Sequence, residues 1–280
     1  MNGRTAPSFG ALLFAAAFFS ASIASAALQS GPVVSTLEQV KEDFNSVPCK
    51  NSQRQSAAVA LFEKMGAAPS EISVERFKGV ENIVVRKPGT SDGIIVVGAH
   101  YDKVVDGCGA IDNWSGVVAV AHLLRTVNPY PLKKTVYFVG FGKEEEGLIG
   151  SRAMVGAIKK EQVANYCAMI NIDSLGLGQA QVARNMSNRK LLELAAEIAA
   201  QLKLPFGHAA IETADSDSSP FLDKKIPALT IHGLTNDWPA VLHTYKDGAE
   251  RVNPISVYLG YRLALSLLLR IDDLPCNAFR

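Results

Sequence analysis

The chain has 280 residues and a formal net charge of +1, and 48% of its residues are hydrophobic and 20% charged. So small a net charge gives no electrostatic reason to expect nucleic acid or an anionic membrane surface as a partner. The hydrophobic content and the length are typical of a folded enzyme with one α/β domain of fair size.

The start of the chain has the pattern of an export signal. Arg4 supplies a positive charge, residues 11–19 form an apolar run, and small residues follow up to Ala26, which is typical of a signal-peptidase site. The alternative is an uncleaved membrane anchor, but the apolar run is shorter than the ~20 residues that a membrane span needs. We therefore expect residues 1–26 to be removed and residues 27–280 to form one exported domain, either periplasmic or extracellular.

Export would allow the four cysteines to be oxidised, and their number is even. Four cysteines allow three pairings, between which the sequence cannot choose. Cys49 and Cys276 lie near the two ends of the mature chain, and we favour a bridge between them that pins the termini. Cys108 and Cys167 would then form the second pair, and C-x-x-C spacing, which marks many cysteine zinc sites, does not occur.

The predicted elements alternate between strand and helix. Two helical stretches within residues 34–65, interrupted at 45–54, precede a strand pair at 72–77 and 82–86. Then follow a strand at 93–99, a helix at 117–127, strands at 134–141 and 168–172, a helix at 190–202, a strand at 226–231 and a helix at 254–269. Continuous apolar runs such as GIIVVGA are typical of strands buried on both faces. We predict a single-domain α/β fold, a three-layer α/β/α sandwich around a mainly parallel mixed sheet.

Polar side chains follow the predicted strands at their carboxyl ends, where open α/β sheets carry their chemistry. His100 and Asp102 follow the first buried strand in GAHYD, where a carboxylate could orient a metal-binding imidazole. Asp112 lies in GAIDNWSG ahead of a helix, and capping of that helix is the alternative interpretation.

Three further motifs follow the later strands. Glu144 and Glu145 belong to FGKEEEGLIGS; consecutive glutamates usually form a solvated face, but here they directly follow a strand. Two adjacent acids can divide metal binding and proton transfer between them. Asp173 ends the next strand in NID, and His243 lies in HTYKD ahead of the last helix. These nitrogen and oxygen ligands suit zinc, or another divalent metal such as manganese or cobalt.

The five motifs resemble, in order and spacing, those of zinc-dependent exopeptidases that include bacterial secreted leucyl aminopeptidases and aminopeptidases S and Y. Relatives of that group include glutamate carboxypeptidases and glutaminyl cyclases. The resemblance extends from residue 93 to the end of the chain, and EExGLxGS is its most specific element. It implies that residues 27–280 are a zinc-exopeptidase catalytic domain with two zinc ions per chain, acting on peptides.

By this resemblance, five residues would hold the two ions. His100 and Asp173 would bind one ion, and Glu145 and His243 would bind the other. Asp112 would bridge both.

The resemblance also implies catalytic roles. Glu144 would be the general base that takes a proton from a zinc-bridged water, and Asp102 would be the carboxylate partner of His100. The pattern EExGL leaves Glu146 as the variable position. Ser218 is a departure, because relatives often carry histidine at this position, after Ser-Asp. The hydrogen bond that such a histidine would make to substrate is therefore not expected in this chain.

Other polar residues are interpreted without a role. His122 is expected to be packed or at the surface, His208 lies near a probable strand, and Asp272 is expected to carry solvated charge. His232 lies close enough to the motifs to remain an outside candidate for contact with metal or substrate.

Three functions are weighed. Release of N-terminal amino acids is favoured, because the chain has no evident inserted segment of the kind that carboxypeptidases carry. Glutaminyl cyclisation is an acyl transfer at a single zinc. Cyclases as a group depart from the pattern GLxGS after the two glutamates, and GLIGS is intact here, so this function ranks second. A binding protein without activity ranks last, because all six ligand and base positions are filled.

We expect peptides as partners, with no nucleic acid and no membrane after signal cleavage. The side-chain preference and the oligomeric state stay open.

Overall fold

An eight-stranded mixed sheet organises the computed structural model, which describes residues 1–3, 33–44, 46–77 and 79–280. The strands are β1 (Ile72–Phe77), β2 (Val80–Lys87), β3 (Ile94–His100), β4 (Thr135–Phe141), β5 (Tyr166–Ile172), β6 (Gln181–Ala183), β7 (Gly207–Ala209) and β8 (Ala228–His232). The helices are α1 (Leu37–Glu42), α2 (Asn51–Lys64), α3 (Ser115–Val127), α4 (Ile149–Ala157), α5 (Arg189–Leu202), α6 (Ser218–Asp223) and α7 (Pro254–Asp273). The predicted signal falls outside the described residues from residue 4 onward.

The sheet has the order β1-β2-β4-β3-β5-β8-β6-β7. Strands β4, β3, β5 and β8 are parallel neighbours at its centre. On one side, β2 pairs antiparallel with β4 and with β1; on the other, β6 pairs antiparallel with β8. The carboxyl ends of the four parallel strands therefore meet at one edge of the sheet, which is where the motif residues follow.

Both faces of the sheet are covered by helices. Ile95 and Val97 of β3 belong to a core cluster that includes buried residues of α2, α3, α5 and α7. Val96, between them in sequence, points to the other face and packs in a second cluster with Met154 of α4 and Phe221 of α6. Adjacent residues of a strand point to opposite faces, so both faces of β3 are apolar and buried. The three-layer α/β/α prediction is confirmed.

Most predicted elements are present with shifted ends, but α4, α6 and the short strands β6 and β7 were not predicted. The predicted interruption at 45–54 is too long, because α2 begins at Asn51. The first turn of α2 is polar and exposed apart from Arg54, which is fully buried. Hydrophobic periodicity does not detect a helix whose first inward-facing residue is charged.

The favoured disulfide pairing is wrong. The bridges join Cys49 to Cys108 and Cys167 to Cys276. Cys108 follows β3 at the carboxyl edge of the parallel strands, whereas Cys167 lies at the amino end of β5. Cys49 and Cys276 are therefore held at opposite edges of the sheet, although both lie near the ends of the mature sequence.

The last helix is packed in the core, and the expectation that Asp272 near its end is solvated is wrong. Helix α7 has the length and composition of a membrane span, but it packs against α1, α3 and α5. Asp272 near its end is 6% exposed, not solvated, and its carboxylate accepts hydrogen bonds from the backbone N–H of Lys133 and Lys134. It therefore fixes the chain at the entry to β4.

A group of hydrogen-bonded polar side chains, most of them buried, attaches the N-terminal segment to the core. The His122 ring nitrogens lie 2.9 Å from Ser35 Oγ and 3.0 Å from Asp43 Oδ2, and Lys64 Nζ lies 2.6 Å from Asp43 Oδ1. Of the two positions expected for His122, packed or at the surface, the structure shows the packed one. Since the group joins α1, α2 and α3, it contributes to stability and is remote from the strand ends that carry the motifs.

Replacing Asp43 by Asn should destabilise the protein at neutral pH and much less in acid. Burial alone would raise the pKa of Asp43, but hydrogen bonds from His122 and Lys64 outweigh it and lower the pKa below the usual value. A carboxylate with a depressed pKa stabilises the fold above its unfolded-state pKa, and this contribution is lost as the pH falls through the folded-state value. Urea denaturation should show a loss of about 2 kcal/mol at neutral pH.

The exposed Asp273, which pairs with Lys133 at the surface, provides the matched control. Asp273→Asn should change the free energy of unfolding by well under about 1 kcal/mol at either pH. An Asp43→Asn deficit that is the same at neutral and at acid pH would contradict the assignment of stability to the ionised carboxylate.

Candidate metal and catalytic site

A cleft of about 310 Å³ opens at the carboxyl ends of the parallel strands. Part of its lining, here called the carboxylate wall, consists of Asp112, Glu144, Glu145, Asp173 and His243. Another part, here called the apolar wall, consists of Met186, Ile211, Ala214, Leu234, Trp238 and Leu242, and the remaining lining residues, among them Asp215 and His232, are mostly polar. The predicted motif residues therefore meet in one place, and the same cleft has an apolar lining that no motif predicted.

The Asp112 carboxylate lies between two histidines. His100 Nε2 is 3.0 Å from Asp112 Oδ1 and 3.5 Å from Asp173 Oδ1. On the other side, His243 Nε2 is 3.1 Å from Asp112 Oδ2 and 3.1 Å from Glu145 Oε2. One oxygen of Asp112 thus faces the pair His100 and Asp173, and the other faces the pair Glu145 and His243.

These atoms fit divalent metal ions. His100 Nε2 is buried and makes no well-aligned hydrogen bond within the described part of the chain, although Asp112 Oδ1 is close. Glu145 Oε1 is likewise buried and unpaired there. Ligand atoms of His100, Asp112 and Glu145 lie within 4.8 Å of one another, as do those of His100, Glu144 and Asp173. Buried atoms that converge without bonding each other are typical of ligands to a common ion, and imidazole with carboxylate suits zinc.

Glu144 is the more distant member of its group. Its Oε2 is 3.9 Å from His100 Nε2, compared with 3.5 Å for Asp173 Oδ1. Burial raises the pKa of Glu144 well above its usual value; His100 opposes the rise, and the neighbouring Asp173 adds to it. A buried carboxyl group with a raised pKa beside the ligand atoms is suited to accepting and returning a proton.

The carboxylates give the site a strongly negative field. Burial opposes protonation of His100, but Glu144 and the aspartates around it outweigh burial and raise its pKa well above the usual value. Hydrogen bonds to Asp112 and Glu145 raise the pKa of His243 to about 10. Without compensating cations, so many like charges in one cleft would repel each other.

Asp102 fixes the glutamate turn. Its Oδ1 accepts a hydrogen bond from Glu144 N at 3.0 Å, and its Oδ2 accepts one from Glu145 N at 3.2 Å. The His100 ring contacts Asp102 through the backbone oxygen, 3.2 Å from Nδ1, while the carboxylate oxygen is 3.7 Å away. Asp102 therefore lies beside His100, but its carboxylate is hydrogen-bonded to the backbone of the two glutamates and not to the imidazole.

Asp247 binds two successive backbone N–H groups, as Asp102 does, and this role was not predicted from the sequence. Its two carboxylate oxygens accept hydrogen bonds from Ile111 N at 2.7 Å and Asp112 N at 3.1 Å. Burial raises its pKa to about 6. Asp247 closes the motif HTYKD four positions after His243, so the spacing was visible, but its backbone partners were not. It ties the Asp112 turn to the His243 loop.

Asp173 is held by two hydroxyl groups. Ser174 Oγ donates to its Oδ1 at 3.1 Å, and Ser216 Oγ donates to its Oδ2. Ser218, the position of the expected departure, is fully buried and contacts Met186 O and Thr230 Oγ1. Ser218 thus packs behind the cleft, and Ser216 is the serine of this segment that reaches a proposed ligand.

His232 lines the cleft at the end of β8. Its Nδ1 accepts a hydrogen bond from Leu234 N at 3.2 Å, and burial lowers its pKa to about 4, so the ring is neutral with the proton on Nε2. That Nε2 is buried and has no partner among the described residues. His208 is exposed on β7 and lies apart from the cleft lining.

Comparison with known proteins connects this arrangement to one family. The profile of peptidase family M28 matches residues 82–266. The probable lipoprotein aminopeptidase LpqL of Mycobacterium tuberculosis is 36% identical over 104 residues, which are 37% of this chain and 21% of that protein. The chain thus spans about a fifth of this relative.

Solved structures share the fold. A zinc aminopeptidase from Bacillus subtilis has a TM-score of 0.62 and 22% identity, over 68% of this chain and 49% of that one. A glutaminyl cyclase from an Acidobacteriales bacterium has a TM-score of 0.74 and 18% identity, over 87% of this chain and 97% of that one. The likenesses confirm the α/β architecture.

Replacing Asp102 by Asn should weaken zinc binding by about 10- to 100-fold, because the glutamate turn loses a charged acceptor that orients it. Competition with a chromophoric chelator would measure the affinity. Glu146→Gln is the matched control, since Glu146 is an exposed acid of the same turn that pairs with Lys143. Equal affinities for the two variants would contradict the orienting role of Asp102.

Proposed function

The chain belongs to peptidase family M28, and from this membership and the geometry of its cleft we propose that it is a metallo-aminopeptidase that releases N-terminal residues from peptides. The observation that carries the proposal is the Asp112 carboxylate, which lies between two matched ligand pairs within hydrogen-bonding distance of both histidines. The zinc aminopeptidase of Bacillus subtilis with the same fold supports zinc as the metal.

Two zinc ions would be held on the two sides of Asp112. His100 and Asp173 are proposed to bind one ion, and Glu145 and His243 the other, with Asp112 shared. Both sets combine imidazole nitrogen with carboxylate oxygen, as zinc sites of hydrolytic enzymes do. The unpaired buried His100 Nε2 and Glu145 Oε1 support this assignment.

Glu144 is proposed as the general base. Zinc held by these residues would lower the pKa of a bound water and polarise the scissile carbonyl group. The Glu144 carboxylate takes a proton from the attacking water and then passes it to the departing amine. Its position beside His100, one residue from the proposed ligand Glu145, supports this role, and Asp102 fixes its backbone.

The aminopeptidases among the relatives support the amino end of a peptide as the end that is cleaved. The charge of the cleft does not add to this argument, because two bound zinc ions would offset the four carboxylates. The apolar wall then receives the side chain of the N-terminal residue. We expect leucine, methionine and phenylalanine to be preferred over aspartate and lysine at that position.

Glutaminyl cyclisation is the second candidate, because a cyclase shares the fold over almost its whole length. The two reactions differ in product and in the number of ions proposed. In either case the protein would act outside the cytoplasm, in the periplasm or the medium, if the export signal is cleaved as the sequence predicts.

Restoring zinc to the metal-free protein tests the proposal directly. The mature protein would be stripped with a chelator, titrated with zinc and assayed with aminoacyl-nitroanilides and with a peptide that begins with glutamine. Release of nitroaniline that recovers with about two ions per chain is expected. Cyclisation of the glutamine peptide without hydrolysis, complete at one ion, would replace the aminopeptidase proposal with the cyclase one.

Glu144→Gln should lower kcat by about 100- to 10,000-fold while zinc content stays at the wild-type level, because the amide cannot accept the proton. Glu146→Gln is again the control and should keep wild-type activity. A Glu144→Gln variant with near-wild-type kcat would assign the base to another residue.

A further inference from the structure

A buried arginine connects the N-terminal helix α2 to the candidate metal site. Arg54 is fully buried, and its guanidinium group donates hydrogen bonds to four backbone carbonyl groups. The acceptors are Tyr101 O, Pro48 O at 3.1 Å, Cys108 O at 2.8 Å and Gly109 O at 3.1 Å. The guanidinium also lies 5.3 Å from the centre of the Trp114 ring. Among the described residues, Arg54 makes no salt bridge with a carboxylate.

The carbonyls that Arg54 binds belong to the two turns that carry proposed ligands. Tyr101 lies between His100 and Asp102, and Cys108 and Gly109 lead directly into the Asp112 turn. The Cys49–Cys108 bridge covalently joins the segment that precedes α2 to the second of these turns. One planar side chain thus sets the spacing between the strand end that bears the first histidine and the turn that bears the shared carboxylate.

The fit around the guanidinium is close. Gly109 adopts a left-handed conformation with φ +58, and a Cβ there would lie 2.7 Å from Asp112 O and 3.2 Å from Arg54 Nη1. Only a residue without a side chain brings the turn this near to Arg54. The planar fork of arginine can bind several carbonyls in fixed directions, which the point charge of lysine cannot do.

A buried charge is costly unless it is compensated. Burial lowers the pKa of Arg54 to about 10, and Asp102, Asp112, Asp247 and Glu145 oppose the shift, so the group stays cationic at neutral pH. The compensation acts at a distance, since the direct contacts are carbonyls. Arg54 can therefore act in two ways, which a test can separate. Its hydrogen bonds position the two turns, and its positive charge offsets the nearby carboxylates.

We propose that Arg54 is a positioning residue of the metal site, which holds the His100 and Asp112 turns at the spacing that two zinc ions require. Helix α2 is then part of the site, although it precedes the stretch matched by the family profile. The inference rests on the proposed function in assuming that these residues bind zinc. Arg54 acts through the backbone of its neighbours and contacts neither substrate nor metal.

The test compares Arg54→Lys and Arg54→Met with the wild type and with Glu63→Gln, an exposed position on the same helix. Zinc affinity of the metal-free protein would be measured by chelator competition, and the absorption spectrum of the cobalt-loaded protein would report ligand geometry. Circular dichroism and urea denaturation would establish that each variant folds. We expect both Arg54 variants to lose zinc affinity by about 10- to 100-fold and to change the cobalt spectrum, with Glu63→Gln unaffected.

The outcomes separate the explanations. An Arg54→Lys variant with wild-type affinity and spectrum would overturn the positioning role, because charge alone would then suffice. Variants that are less stable but bind zinc normally would overturn it too, leaving Arg54 a structural residue. If Arg54→Met does not fold, Arg54→Lys still decides. A wild-type protein that binds no zinc would instead remove the proposed function.

Discussion

Repulsion between carboxylates is the constraint on which the site depends. Asp112, Glu144, Glu145 and Asp173 face one small cleft, and like charges at such distances destabilise each other unless something offsets them. The fold offsets this repulsion with two histidines, with hydroxyl groups that donate to Asp173 and with a buried guanidinium. The parallel sheet makes this feasible, because its strands end together and deliver each acid from a rigid element.

Three charged side chains outside the proposed ligand set tie the ligand segments together. Asp102 joins the His100 turn to the glutamates, Asp247 joins the Asp112 turn to the His243 loop, and Arg54 joins the His100 and Asp112 turns. Each acts on backbone groups of its neighbours. The segments that carry four of the five proposed ligands, all except Asp173, are therefore linked in series by hydrogen bonds, so a substitution in any of the three should affect more than its immediate contact.

The sequence predicted the α/β architecture and the residues that meet at the cleft, because buried strands and the acids that follow them leave a local pattern. Choosing Glu144 over Glu146 as base needed a family resemblance, since three adjacent glutamates are equivalent by spacing. Arg54 was placed in an interruption between helices, because nothing local marks an arginine whose partners are distant carbonyls. The disulfide preference failed for a related reason: proximity to the chain ends says little about position in the fold.

The sharing of Asp112 between two sides has a thermodynamic consequence. A cation on the His100 side would fix the Asp112 carboxylate and reduce its charge, and a cation on the His243 side meets that altered carboxylate. The two positions are therefore thermodynamically linked. If a cation at one position changes the affinity of the other position by some factor, a cation at that other position changes the affinity of the first by the same factor. Loading would not follow the curve of two independent sites, and the half-loaded protein is a distinct species whose population depends on that coupling.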